Sequence, residues 1–282
     1  MSKESSSKEK LVEFKEFHTP SSGFFFLAKR RLLSEKSLLQ QIDVIDTDSF
    51  GRILFLDGLV QTTEKDEFFY HEMLVHPAMV SHPKPEAVLI IGGGDGGALK
   101  EVLRYPSKRA TMVEIDARVV EVCEKYFPWL TPARSDRRVE LKIADGSAFL
   151  QESDGTFDVI LIDSSDPIGP STVLHQREFF GQLKGHLKPG GIVAGQAGSP
   201  LYHLASLREK SLFLREIFKF SFFYLGPVPT YPGGTWSYFF VSDRINPLQG
   251  KKRRIPSGLQ YYNAEIHSAA FSLPTFLKKE LA

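Results

Sequence analysis

Apolar and polar positions change their pattern twice along the chain. About ten polar residues at the start read as a disordered N-terminus, residues 1–10. GFFFLAKRRLLSEK, SLLQQIDVIDTD and FGRILFLDGLVQTTEKD then read as strands and turns, punctuated by Gly, Asp and Ser at hairpin spacing. Residues 11–62 are therefore expected to form a small antiparallel β-domain. From Asp66 to about Ser81, Phe68 and Phe69, Met73 and Met79 recur near a helical period with acids in the first turn. Pro77 is expected to kink that helix or split it in two.

Beyond HPKPE, short apolar runs alternate with helical stretches. AVLIIGGG, ATMVEID, RVELKIADG, FDVILIDSSDP and GIVAGQAG read as strands. GALKEVLRY, ARVVEVCEKYF, SAFLQES, a segment from about Leu174 to Leu187 closed by Lys-Pro-Gly-Gly, and a segment near 201–218 read as helices. This spacing is that of βαβ crossovers, so residues 63–282 are expected to build an α/β domain with a mostly parallel sheet and helices on both faces. FKFSFFYLG and TWSYFFVS form a closing pair that can run antiparallel.

Composition narrows the class without naming a partner. The chain has 282 residues with 35 Lys+Arg against 34 Asp+Glu, so no overall field points to nucleic acid or to an acidic membrane. Lys251-Lys252-Arg253-Arg254 reads as a solvated loop. A single cysteine, Cys123, excludes an intrachain disulfide and reads as a buried structural thiol, which fits a reducing compartment. The opening MSKESSSKEK carries no apolar core of a signal peptide, and no run reaches the roughly 18–20 apolar residues of a membrane span. The expected location is the cytoplasm.

Chemistry-bearing residues gather at strand ends: GGGD at 92–95, EID at 114–116, ADG at 144–146, DSSD at 163–166, and Gln196. In open α/β sheets ligands bind beyond the carboxyl ends of the strands. Gly92 to Gly97 satisfy G-x-G-x-x-G, where glycines admit a ligand close to the backbone, and Glu114, 17 residues beyond Gly97, can accept ribose hydroxyls. Asp95 would repel a pyrophosphate, and Asp145-Gly146 suits an adenine edge, so a cationic sulfonium nucleoside fits better than a dinucleotide. Asp95 also fits a helix N-cap. Asp163 and Asp166 leave the sheet three residues apart, suited to an alkylamine that must lose a proton before it attacks. His71-Glu72 begins a zinc helix that Val75 breaks, and His76 and His82 read as surface or capping residues.

LDGLVQTTEKDEFFYHEML (56–74), VLIIGGGDGGALKEVL (88–103), Glu114, ADG (144–146), IDSSDPIGP (162–170), PTYPGG (229–234) and YYNAEIHSAAFSLPTF (261–276) together resemble the polyamine aminopropyltransferases, the family of the spermidine synthases. The resemblance covers about residues 23–280 and implies a Rossmann-like, class I methyltransferase-type domain behind a small β-domain. It implies aminopropyl transfer from decarboxylated S-adenosylmethionine to putrescine, giving spermidine and methylthioadenosine. Asp163 matches the proton acceptor, aided by Tyr70 and Tyr231. Asp166 matches the diamine site and Asp95 the site for the donor's amine. Gln40, Glu114, Asp145, Gly146 and Pro170 match nucleoside-binding positions, with Gln61 and His71 lining the site. The implied partners are these small molecules and a second copy of the chain, at least a homodimer, with no nucleic acid, membrane, metal or cofactor beyond the donor itself. Agmatine, cadaverine or spermidine as acceptor, and a putrescine N-methyltransferase, are the alternatives; retention of Asp66-Glu67 favours aminopropyl transfer.

Overall fold

A computed structural model describes residues 12–165, 169–250 and 252–281; the expected disordered start and Asp166 lie outside them. The chain divides into two compact units after Lys65. In the first, β1 (Val12–Thr19), β2 (Ser22–Lys36), β3 (Gln41–Thr47), β4 (Gly51–Leu56) and β5 (Leu59–Thr63) form a five-stranded antiparallel sheet in sequential order. Leu56 pairs with Leu59 around Asp57-Gly58, and both turn residues have positive φ, the two-residue hairpin that Asp-Gly favours. Ile42, Val44, Ile45, Ile53, Leu54 and Phe55 are buried, on both faces of the sheet. Gln40 lies in the β2–β3 connection, where its backbone closes a turn with Ser37, and Gln61 lies in β5 with its amide donating to Leu59 O.

The second unit opens with α1 (Glu67–Ser81) and continues through β6 (Ala87–Gly92), α2 (Gly97–Val102), β7 (Arg109–Glu114), α3 (Ala117–Tyr126), β8 (Val139–Ile143), α4 (Gly146–Glu152) and β9 (Phe157–Asp163). It closes with α5 (Arg177–Gly185), β10 (Leu187–Gly198), α6 (Leu204–Ile217), β11 (Phe220–Pro227), β12 (Thr235–Ser242), α7 (Ala264–Ala270) and α8 (Thr275–Glu280). The seven strands lie in the order β11-β12-β10-β9-β6-β7-β8, parallel from β10 to β8, with β12 and β11 antiparallel at one side. The chain leaves β6 toward β7 and β8, then returns to build β9 and β10 on the other side. The switch point of the topology is thus the β6–β9 pair, where Gly92 is the register partner of Asp163.

Strand side chains alternate between two cores. Val88 and Ile90 of β6, Val159 and Leu161 of β9 and Tyr238 and Phe240 of β12 pack with α1 and α2. Leu89 and Ile91, Ile160 and Ile162, and Phe239 and Val241 pack with α4, α5 and α6 on the opposite face. That double burial explains why the strands read as continuous apolar runs.

Four expectations change. Pro77 does not split α1, which runs unbroken to Ser81; proline cannot donate to the Met73 carbonyl four residues back, and the Tyr224 hydroxyl donates to it instead at 2.9 Å. Lys-Pro-Gly-Gly does not close a helix. The helix ends at Gly185, and residues 188–191 lie inside β10, at a register shift between Leu187 and Ile192. His76 is fully buried, between Tyr105 Oη at 2.8 Å and Glu101 Oε2 at 3.1 Å, because α1 is covered on nearly every side. His82 is buried too but does stand at the C-cap of α1. The basic run is anchored as well: Arg253 Nη1 donates to Pro83 O at 2.7 Å, and its amide to Val80 O. Arg253 thus satisfies one carbonyl of the last turn of α1 through its main chain and places its guanidinium just beyond a helix end that holds no basic residue of its own.

Candidate active site

Asp163 ends β9 at the switch point, and its main chain is fixed by the Gly93 N–H donating to Asp163 O at 2.8 Å. Tyr70, on α1, donates its hydroxyl to Asp163 Oδ1 at 2.8 Å. Asp163 Oδ2 is buried with no hydrogen-bond partner among the described residues, an acceptor held out of water. Burial and the nearby charge of Asp95 raise the carboxyl to about 6, against the opposing pull of His71 and Tyr70. Such a group is ionised at neutral pH yet basic enough to take a proton.

Asp95 follows β6. Its Oδ1 accepts from the Gly97 N–H at 2.9 Å, and its Oδ2 lies 3.2 Å from His71 Nε2. The helix N-cap itself is Gly96, so Asp95 steadies the entry to α2 through Gly97 while facing His71. Side-chain atoms of His71, Asp95 and Asp163 all lie within 4.8 Å of one another. Burial would raise Asp95, but His71 and the Gly97 amide more than reverse it and hold the acid below its usual range.

Glu114 and Asp145 are held differently, by backbone. Glu114 Oε2 accepts from Gly94 N at 3.0 Å and Oε1 from Asp116 N at 2.9 Å. Burial nonetheless pushes it up to about 7. Asp145 Oδ1 caps α4, accepting from Ser147 N and Ala148 N at 2.9 Å each. Gly146, the first residue of α4, is packed so closely that a Cβ would come within 2.5 Å of Ile91.

The glycine loop serves the acids rather than leaving open room beside the backbone. A Cβ at Gly93 would stand 2.9 Å from Asp163 Oδ2, one at Gly94 2.9 Å from Glu114 Oε2, and one at Gly97 2.1 Å from the His71 ring. Gly92, at positive φ, would meet Asp163 O. Two of these absent side chains let the Asp163 and Glu114 carboxylates close in on the loop, one admits the His71 ring, and one admits the Asp163 main chain.

Aromatic rings wall the Tyr70 side. Tyr231 follows the β11 strand end, with its ring 5.6 Å from Tyr70 and 4.8 Å from Trp236. Tyr238 lies 5.8 Å from Tyr70, and its hydroxyl, like Trp236 Nε1 and Gln196 Oε1, is buried without a partner. Tyr238 was not legible as a site residue, although strand alternation puts it on the same face as Trp236. Asp66 anchors the loop before Tyr231, accepting from Thr230 N at 3.1 Å and Thr230 Oγ1 at 2.8 Å. Among the expected residues, Tyr70, His71, Asp95, Asp163 and Tyr231 come together, and Glu114 joins through Gly94. Pro170 lies in the 3-10 turn Gly169–His175, and Gln40 and Gln61 belong to the first unit. Cys123 is fully buried and burial pushes its thiol well up, as a structural residue requires.

A parallel sheet with backbone-held acids at β7 and β8 and a base-competent carboxylate at the switch point defines a Rossmann-like transferase of the class I methyltransferase type. Comparison with known proteins carries this further. Residues 67–250 match the spermine/spermidine synthase domain, and residues 13–64 match the spermidine synthase tetramerisation domain. The chain is 42% identical over 272 residues to the polyamine aminopropyltransferase of Moorella thermoacetica, covering 96% of each. It is 46% identical over 248 residues to that of Leptospira biflexa, covering 87% of this chain and 88% of the relative. Among solved structures, a spermidine synthase in complex with the transition state analogue AdoDATO superposes with a TM-score of 0.93 at 39% identity, and the spermidine synthase from Thermotoga maritima with 0.91 at 38%. Each comparison covers 96% of this chain and 94% of the other. The chain belongs to the spermine/spermidine synthase family and is a polyamine aminopropyltransferase. No helix among the described residues is long and apolar enough to cross a membrane.

Proposed function

We propose that the chain is a spermidine synthase, moving the aminopropyl group of decarboxylated S-adenosylmethionine to putrescine. The carrying observation is Asp163 Oδ2, a buried, unpartnered carboxylate oxygen at the switch point of a polyamine aminopropyltransferase. A protonated alkylamine cannot attack carbon. Asp163 takes the proton from one putrescine nitrogen, while the Tyr70 hydroxyl orients the carboxylate and Tyr231 walls the amine. The freed lone pair attacks the aminopropyl carbon as the C–S bond breaks; its electron pair stays on sulfur, and the cationic donor leaves as neutral methylthioadenosine. The reaction needs no cofactor or metal, because the leaving group is already activated by its own positive charge. Proximity and proton removal remain, and positioning is worth up to roughly 7–11 kcal/mol in favourable cases.

Glu114, Asp145 and Gly146 hold the nucleoside, and Asp95 and His71 face the donor's amine; for Gln40, Gln61 and Pro170 a nucleoside-binding role, and for Asp166 a diamine-binding role, rest on the family resemblance alone. Asp95 disfavours intact S-adenosylmethionine, whose carboxylate would meet it. The match of residues 13–64 to a tetramerisation domain supports a homo-oligomer, a dimer or larger, and the lone buried cysteine supports a cytoplasmic enzyme. The test is purified protein with decarboxylated donor and, in turn, putrescine, cadaverine, agmatine and spermidine, scored for methylthioadenosine and product mass. Putrescine should give the highest kcat/KM; a higher value for another amine overturns the acceptor, and a methylated product from intact S-adenosylmethionine overturns the transfer.

A further inference from the structure

Behind the acids, α1 and α2 hold a row of alternating charges that proton transfer at Asp163 leaves unused. Lys100 Nζ donates to Glu67 Oε1 at 2.7 Å, Glu67 Oε2 lies 2.7 Å from His71 Nδ1, and His71 Nε2 lies 3.2 Å from Asp95 Oδ2. Glu67 is 6% exposed and His71 2%, so neither charge is shared with bulk water. Gly97 makes the row possible, since any Cβ there would strike the imidazole.

Both ring nitrogens of His71 face carboxylates. A neutral imidazole has one N–H and one lone pair, and would set the lone pair against an anion; only the imidazolium donates on both sides. The groups around the ring agree. Glu67 faces it from α1, Asp95 from the β6–α2 loop and Asp163 from the end of β9, with Tyr70 edge-on from α1. The cations stand one step away: Lys100 acts through Glu67, and Arg134 binds Gly94 O beside Asp95. Burial would discharge His71, but the two acids more than reverse it and raise it well above an ordinary histidine.

We propose that Glu67 and Lys100 are positioning residues that fix His71 as an imidazolium beside Asp95 and Asp163, so that Asp163 stays ionised when the amine arrives. The proposal rests on Asp163 being the proton acceptor. Two carboxylates this close resist carrying charge together, and a cation within the same few ångströms removes that resistance. The imidazolium also weakens the pull of Asp95 on a cationic substrate. A row built only for affinity would omit it, so its use lies in holding the base ready. Glu67 and Lys100 touch no reacting atom; each acts through the ring.

The experiment compares pH profiles of kcat and kcat/KM for the full-length enzyme, Glu67→Gln, Lys100→Met and Lys100→Arg with one amine throughout. Discharging His71 should move the acidic limb of Glu67→Gln upward by about one pH unit. Its rate on that limb then falls about tenfold below wild type, while the alkaline plateau stays within a factor of about three. Lys100→Met should move the limb by less, and Lys100→Arg should leave it in place. Lys100 is 23% exposed, so its variants carry the test even if Glu67→Gln fails to fold. Coincident acidic limbs in Glu67→Gln and Lys100→Met overturn the proposal, including when the plateau falls uniformly, as loss of mere structural support would make it. Asp163→Asn separates the two readings: full turnover there removes the proton acceptor, whereas lost turnover with coincident limbs removes only the role of Glu67 and Lys100.

Discussion

The carboxylates at the two sides of the sheet's carboxyl edge are held by different kinds of group. At β7 and β8, Glu114 and Asp145 accept main-chain N–H bonds. At β6 and β9, Asp95 adds an imidazole to its one main-chain donor, the Gly97 N–H, Asp163 faces a phenol, and one oxygen of Asp163 has no partner among the described residues. Backbone donors cannot change protonation or swing away, so they fix an acid's direction, which suits holding a rigid nucleoside. Side-chain partners leave the proton count open, which suits chemistry. Under the proposed function, the β7 and β8 acids hold and the β9 acid reacts, and the side-chain donors concentrate at the reacting side.

The sharpest way to break this contrast is Asp163→Asn. It should lose about 10²–10⁴ of turnover in a methylthioadenosine-release assay while nucleoside affinity by calorimetry changes little. Near-wild-type turnover would remove the reacting role from the β9 end. Next in size, Asp95→Asn should narrow the preference for decarboxylated over intact S-adenosylmethionine by about tenfold, as expected for loss of one close charge contact. Unchanged relative affinities would put selectivity elsewhere.

A stability measurement should show the same residue in the opposite light. The carboxyl of Asp163 is raised in the folded state to about 6, so its charge opposes folding above that pH. The penalty is absent below the unfolded value of about 3.8, grows as pH rises between the two, and is complete above about 6, for at most roughly 3 kcal/mol. Asp163→Asn should therefore melt above wild type at pH near 8, by a few degrees, with the difference closing toward pH near 4. Equal melting temperatures at both pH values would mean that the carboxylate is not strained. The smallest expected effect belongs to the β8 end: Asp145→Ala removes the α4 cap and should cost about 1 kcal/mol by chemical denaturation, alongside weaker nucleoside binding. No loss of stability would remove Asp145 from the backbone-held class.

Particular residues show why some of this was readable in advance. Gly, Asp and Ser marked the turns of the β-domain because few residues tolerate positive φ, and Asp57-Gly58 closes one such hairpin. The continuous apolar runs of β6 and β9 announced burial on both faces. The split expected at Pro77 did not occur, and the Met73 carbonyl left without a donor is served by Tyr224, about 150 residues away in sequence. His76 misled because its partners Glu101 and Tyr105 arrive with α2 and the turn after it. Glu67 looked like a first-turn acid and is instead a link between Lys100 and His71.

The α/β order, the antiparallel β-domain, the carboxyl-edge placement of Asp95, Glu114, Asp145 and Asp163, and the family were all written in the order of the residues. These follow from local period, turn chemistry and block order, which are properties of neighbours along the chain. Only the tertiary structure decided which acid is held by backbone, which by side chains, and that Asp163 sits at the switch point with one oxygen unpartnered. Those outcomes depend on donors contributed by distant segments and on burial, and burial sets a carboxyl's proton affinity only once the chain has closed around it.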